Sequence, residues 1–168
     1  DVDIQGEYIG RVSGSGACGI DEAVRVTSIA GVRLSLPARM DCQTAQTLNR
    51  YVQRVAIPEI GNHGGGLARL NIIGEYSCRA RVGTGPTSRL SEHAFGHAID
   101  IAGFILRDGS EINVLRNWGG SSYGSVLRAL HRGACGLFGT VLGPNANAAH
   151  ANHFHFDTAR YRSGSYCR

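Results

Sequence analysis

Ser91-Glu92-His93-Ala94-Phe95-Gly96-His97-Ala98-Ile99-Asp100 and His150-Ala151-Asn152-His153-Phe154-His155-Phe156-Asp157 are the two stretches on which the reading of this chain turns. In the first, a histidine and an aspartate stand seven residues apart. Gly96 lies between them and permits a turn that brings His93 back over Asp100. In the second, His153 and His155 are two residues apart, so on a strand they share one face with Asp157 while Phe154 and Phe156 take the other. Ala98–Ala102 reads as a strand in the same way, with Ile99 and Ile101 toward a core and Asp100 between two small alanines. Small neighbours leave room for an ion and a substrate. Imidazole and carboxylate are ligands that zinc takes, although Fe, Mn and Cu stay open on residue type alone. Three protein ligands with one open position is the catalytic arrangement, which lowers the pKa of a bound water toward ~7. The expected chemistry is hydrolysis at a single zinc ion.

The bulk properties set the frame for that site. The 168 residues fit one domain, 1–168, long enough to bury a core. A composition of 42% hydrophobic and 18% charged residues excludes a disordered chain. The 24 glycines call for many turns. The expected class is α+β, with an antiparallel central sheet carrying the site and helices packed against it. The net charge of +4 comes without a basic stripe or a nucleic-acid module, so no nucleic-acid partner is expected. All seventeen basic residues are arginines, which reads first as the codon composition of a GC-rich genome and also suits a carboxylate-rich substrate. No apolar stretch is long enough to span a bilayer, and a monomer is expected. Five cysteines (Cys18, Cys42, Cys78, Cys135, Cys167) are widely spaced with no CxxC pair, which reads as disulfides in an oxidising compartment. The expected bridges are Cys135–Cys167, tying down the tail, and Cys18–Cys42, with Cys78 left over.

Along the chain, residues 1–20 read as an extended, glycine-rich lead-in. Ala23–Ile29 and Val32–Leu36 alternate around Ala30-Gly31, a hairpin signal, with Pro37 ending the second strand. Asp41 is a plausible N-cap for an amphipathic helix through Cys42, Ala45, Leu48, Val52 and Val55 that stops before Pro58. His63 reads as a surface loop residue. Leu67–Ser77 reads as a strand, followed by a loop with Gly83, Gly85 and Pro86. A turn at Asp108-Gly109 predicts a second hairpin returning through Glu111 to Leu115. Ser121 or Ser122 would cap a helix through Val126, Leu127, Leu130 and Ala134. Leu137–Leu142 and Asn152–Asp157 are the last strands.

Ser91-x-His93-x-x-Gly96-x-Ala98-x-Asp100 resembles the S-x-H-x-x-G-x-A-x-D signature of the LAS zinc peptidases, the group of lysostaphin, the D-Ala-D-Ala carboxypeptidases and the hedgehog signalling domain. Tyr76-Ser77-Cys78-Arg79 before the motif, Cys18-Gly19 near the start and the closing His150-x-x-His153-x-His155 are most similar to the bacterial extensin-like C-terminal domain family. The closing histidines also resemble those of the penicillin-insensitive murein endopeptidases. The resemblance implies that His93, Asp100 and His155 are the zinc ligands and that His153 is the general base or transition-state stabiliser. It implies that Arg79 contacts the scissile carbonyl. The E-x-x-H glutamate of the carboxypeptidase branch is absent: Asn152 and His150 occupy the two positions where it would stand. This departure favours the H-x-H branch. Ser91 is expected to orient the motif through a hydrogen bond; His150 and His97 are candidates for the substrate groove or for supporting the ligands, with plain surface positions as the alternative. The implied activity is a zinc-dependent peptidase, DD- or LD-endopeptidase rather than carboxypeptidase, cutting peptidoglycan stem peptides or crosslinks in the periplasm or cell envelope of a Gram-negative bacterium. The competing expectation is a zinc-containing cell-wall or protein binding module without turnover. Retention of His153 and Arg79 beside the ligands argues against it, because a structural site is closed by a fourth protein ligand.

Overall fold

Ile99 and Ile101 on one strand and Phe154 and Phe156 on its neighbour point into a common core, and the fold is arranged to cover them. The computed structural model describes residues 2–82, 89–120 and 122–168. Gly83, Gly85, Pro86 and Ser121 lie outside the described residues. In chain order the strands are β1 (Ile4–Ser13), β2 (Gly19–Ile29), β3 (Val32–Asp41), β4 (Leu67–Gly74), β5 (Ala98–Leu106), β6 (Glu111–Asn113), β7 (Thr140–Leu142), β8 (Phe154–Asp157) and β9 (Tyr166–Cys167). The helices are α1 (Cys42–Tyr51), α2 (Ile57–Ile60), α3 (Val114–Asn117) and α4 (Gly124–Ala134). This is a single α+β domain.

The strands form one sheet in the order β1-β2-β3-β4-β5-β8-β7-β9. Most neighbours are antiparallel, but β3–β4 and β7–β9 are parallel, so the sheet is mixed. Strand β5 is its centre and is buried along almost its whole length. On one edge it pairs with β4; on the other, Ala98–Ile101 pair with β8 and Gly103–Ile105 with β6. Helices α1 and α4 contribute Leu48, Tyr51, Leu127 and Leu130 to the core beneath β5 and β8. Phe138 stacks on Phe156 at 5.0 Å and Tyr51 meets Phe156 edge-on at 5.1 Å. The Tyr51 hydroxyl is buried with its ring, so it needs an acceptor, and it donates to the Leu130 carbonyl at 3.2 Å.

Several boundaries differ from the sequence expectation, each for a local reason. The lead-in holds edge strand β1, whose Gly6 and Gly10 sit at shifts in its pairing with β2. Pro37 does not end β3. It lies between Arg33 and Ala38, where the β2–β3 register jumps and no ladder N–H is required. Pro58 does not stop the first helix. A wide helical turn over Val52–Ala56 releases the i→i−4 pattern, and Pro58 enters the first turn of α2, where its missing N–H costs nothing. Strand β4 stops at Gly74, not Ser77. The returning strand of the second hairpin is only β6, because Asn113 caps α3 by accepting from the Arg116 N–H. Ser122 does not cap α4, whose N-cap position is Tyr123.

The disulfides correct the expected pairing. Cys135–Cys167 is present, but Cys18 is bonded to Cys78 and Cys42 is free and exposed. The turn between β1 and β2 buries Cys18 against the segment that leaves β4, with Cα atoms 5.6 Å apart in the bridge. Cys42 occupies the first turn of α1, on its outer side. Sequence spacing carries no information on such tertiary proximity. Peptide mapping without reduction should recover Cys18–Cys78 and Cys135–Cys167, with Cys42 alone taking up iodoacetamide. Removing the first bridge, which closes 60 residues, should cost about 4 kcal/mol by chain entropy, read as a lower urea midpoint.

Candidate metal centre

The pairing of β5 with β8 sets Asp100 directly opposite His155, with Ile99 opposite Phe156 and Ile101 opposite Phe154. Alternation then puts the polar pair on one face and the hydrophobic pairs on the other. The third member comes from a short helical turn, Glu92–Phe95, immediately before β5. Ser91 opens that turn: its Oγ accepts from the His93 backbone N–H at 3.3 Å. Gly96 closes it with φ +70°, and a Cβ there would lie 2.5 Å from the Ile20 side chain. His93 is thereby aimed back at Asp100. The space for the carboxylate is provided by Gly74 on β4, where a Cβ would stand 2.3 Å from Asp100 Oδ2.

Hydrogen bonds fix which nitrogen of each ring faces inward. The Glu75 carbonyl, which can only accept, lies 2.8 Å from His93 Nδ1. The proton is therefore on Nδ1, and the Nε2 lone pair points at Asp100 Oδ2, 3.1 Å away. That Nε2 is buried and has no hydrogen-bond donor. His155 sits between two carboxylates, with Nε2 2.8 Å from Asp157 Oδ2 and Nδ1 3.0 Å from Asp100 Oδ1; when Nε2 alone donates, to Asp157, Nδ1 turns its lone pair toward Asp100. In that neutral form two acceptors confront one carboxylate, an arrangement that calls for a positive charge, either a second proton on His155 or a cation between the groups. The donor atoms of His93, Asp100 and His155 all lie within 4.8 Å of one another. The group fits a metal ion, and carboxylate or carbonyl partners on the outer ring nitrogens are the usual way such ligands are oriented.

The electrostatics agree with the geometry. Burial disfavours the Asp100 charge, but its contacts with the His155 and His93 rings outweigh that and hold its carboxyl far below the usual carboxylate range. Burial likewise opposes charge on His155, yet its bonds to Asp100 and Asp157 push its pKa up to about 9. Without a cation, His155 supplies the positive charge as imidazolium. A metal would have to displace that proton.

Around the triad lies a cavity of about 250 Å³. His153, His150, Arg79, Arg81, Tyr161, Arg162 and Tyr166 line it with Ser91 and Glu92. His153 Nε2 is 3.7 Å from Asp100 Oδ1, and its Nδ1 donates to Asn152 Oδ1 at 2.8 Å. Burial lowers its pKa, with Asp100 opposing and His155, His93 and Arg79 reinforcing the effect. His150 lies 5.0 Å from the His153 ring and 5.9 Å from the His155 ring. Burial and these neighbours lower its pKa to about 4. Arg79 lines the cavity but is exposed, and among the described residues its guanidinium has no hydrogen bond or ion pair. His97 is not brought to the cavity. It donates from Nδ1 to Glu92 Oε2 at 2.9 Å and faces Asp41 on the far side of the turn.

A family model described as extensin-like protein C-terminus matches residues 5–168. The chain belongs to the extensin-like C-terminal family. No curated protein and no solved structure matches it. In this extensin-like domain, two supports of the centre have different visibility in sequence. Asp157 stands in the same alternating row as His155, so its contact with that ring could be anticipated. Glu75 acts through its backbone carbonyl, for which no side-chain signal exists. Its own carboxylate is clamped by the Arg39 guanidinium at 2.6 and 3.0 Å and by the Arg39 N–H at 2.9 Å, which holds that carbonyl in place.

Asp157→Ala should weaken metal binding about 10–100-fold, measured by competition with a chromophoric chelator, because the His155 ring loses the partner that sets its tautomer. His97 gives a pH signature. Its bond to Glu92 raises its pKa against partial burial, with Asp41 adding. A pKa raised on folding stabilises fully below the unfolded value of ~6.5 and is lost as pH climbs through the folded one. The side chain is 38% exposed, so screening keeps the effect below about 1 kcal/mol. His97→Ala should lower the melting midpoint by about 2–4 °C near pH ~5.5, and by less near pH ~9.

Proposed function

We propose that this chain is a zinc-dependent peptidase of bacterial peptidoglycan, acting in the periplasm or cell envelope on peptide crosslinks as an endopeptidase. The observation that carries the reading is the content of one cavity. It gathers a ligand triad with its rings held in place, a histidine whose Nε2 lies 3.7 Å from the Asp100 carboxylate, and an arginine with no anionic partner among the described residues. The likeness of the Ser91–Asp100 motif and the closing His153-x-His155 to the LAS peptidases and the murein endopeptidases supports it.

His93, Asp100 and His155 would hold the ion, and Glu75 and Asp157 keep the two rings turned toward it. When bound, zinc supplies Lewis acidity toward a scissile carbonyl and lowers the pKa of a water. The residues around it divide the remaining work. His153, with its Nδ1 proton committed to Asn152, accepts a proton on Nε2 from the attacking water and returns it to the leaving amine nitrogen. Its lowered pKa keeps Nε2 unprotonated at neutral pH. The Arg79 guanidinium donates to the carbonyl oxygen as negative charge gathers there, an interaction stronger in the transition state than in the ground state. His150, neutral and beside His153, borders the groove in which the peptide lies.

Purified crosslinked sacculi incubated with zinc-loaded protein should lose their dimeric muropeptides, and a chelator should prevent the loss. Mass spectrometry of the fragments identifies the bond, 4-3 or 3-3. His155→Ala should lose both metal and activity. His153→Ala should retain metal and lose turnover by about 10²–10⁴. Full turnover in the second variant would remove His153 from the mechanism. Intact sacculi with fully metallated protein would replace the enzyme reading with a wall-binding module, which sacculus pull-down would then test.

A further inference from the structure

The arginines that line the cavity are not all paired with its carboxylates. Three carboxylates line it, and all are engaged: Asp100 with His93 and His155, Asp157 with His155, and Glu92 with Arg81 and His97. Three arginines line it too. Arg81 is held by Glu92 at 3.2 Å and lies over the Tyr161 ring at 5.3 Å. Arg79 and Arg162 have no carboxylate partner among the described residues. Arg162 is nonetheless placed. Its Cζ packs over Tyr161 at 4.6 Å and over Tyr166 at 4.8 Å, and Tyr166 precedes Cys167, which is bonded to Cys135.

We infer that Arg162 is a substrate-binding residue that recognises a carboxylate on the peptide entering this cavity. This inference rests on the peptidase reading above and adds to it a specificity determinant on the C-terminal segment. Aromatic contacts occupy the faces of a guanidinium and leave its N–H edges free, and those edges match a carboxylate in a two-pronged geometry. A side chain already resting on two rings loses less freedom on binding than one projecting into water. Tyr161 and Tyr166 line the cavity and are 49% and 40% accessible, so the shelf is open to a ligand in the cavity and is not part of the core. The substrate class is a peptide with a free carboxylate, either at its end or on a residue flanking the bond.

Calorimetric titration of the metal-loaded protein with N-acetyl-D-alanyl-D-alanine and with its C-terminal amide tests the terminal carboxylate. A second ligand pair, with an amidated end and a side-chain carboxylate or its amide, tests the flanking one. In at least one pair the wild type should prefer the acid by about tenfold. Arg162→Gln should bring that ratio close to unity while amide affinity stays unchanged, and Arg162→Lys should keep part of it. Near-UV circular dichroism checks that the variants are folded. An undiminished preference in Arg162→Gln, a wild type indifferent to both carboxylates, or no measurable binding of any ligand overturns the inference. Because the readout is binding, the two ideas fail separately. Sacculus cleavage without an Arg162-dependent preference keeps the peptidase and removes this role. Discrimination through Arg162 in a protein that never cleaves does the reverse.

Discussion

The register between β5 and β8 is the constraint on which the rest depends. Asp100 faces His155 across the ladder, and Phe156 and Phe154 oppose Ile99 and Ile101 on either side. Side chains alternate with period two, so a slip of one residue would carry Phe154 or Phe156 to the polar face and His155 into the packed core. Both halves of that error are costly, since one exposes aromatic area and the other buries an imidazole without partners. The core stack of Tyr51, Phe138 and Phe156 thereby selects the arrangement of the ligands. Hydrophobic packing and site geometry are one choice made twice.

What the ladder cannot supply is orientation within the site, and the surrounding elements provide it in layers. Gly74 concedes the volume that Asp100 needs. The Glu75 carbonyl and the Asp157 carboxylate set the tautomers of the two histidines. Arg39 holds Glu75, and the Ser91 hydroxyl with the left-handed Gly96 fixes the turn that presents His93. Their combined effect is to turn one nitrogen of each ring and one carboxylate toward a common point.

The parts of this design that were legible in the sequence are those governed by period. Alternation around Asp100 and His155, the three-and-four spacing of Ala45, Leu48 and Val52, and the Asp108-Gly109 turn all translate directly into structure. The Ser91–Asp100 motif and the closing His153-x-His155 contain His93, Asp100 and His155, the three side chains whose donor atoms the fold gathers. The parts that were not legible are set by tertiary neighbours. Pro37 is tolerated because a register jump surrounds it, and Pro58 because a widened turn precedes it. Cys18 pairs with Cys78 because a hairpin turn rests on the end of β4. His97 sits in the motif, yet its direction is decided by Glu92 and Asp41. Glu75 contributes a carbonyl, which any residue could provide, and so leaves no trace in residue type.

The two disulfides sit at distinctive addresses. Cys78 immediately precedes Arg79, and Cys167 immediately follows Tyr166. Asp100 and His155 are placed by the β5–β8 ladder, whereas each bridge stands next in sequence to a residue that lines the cavity. The cavity is thus bounded partly by hydrogen-bonded strands and partly by covalently tethered segments, so that a cut bridge would loosen the lining next to it before the strand pairing that carries the ligands.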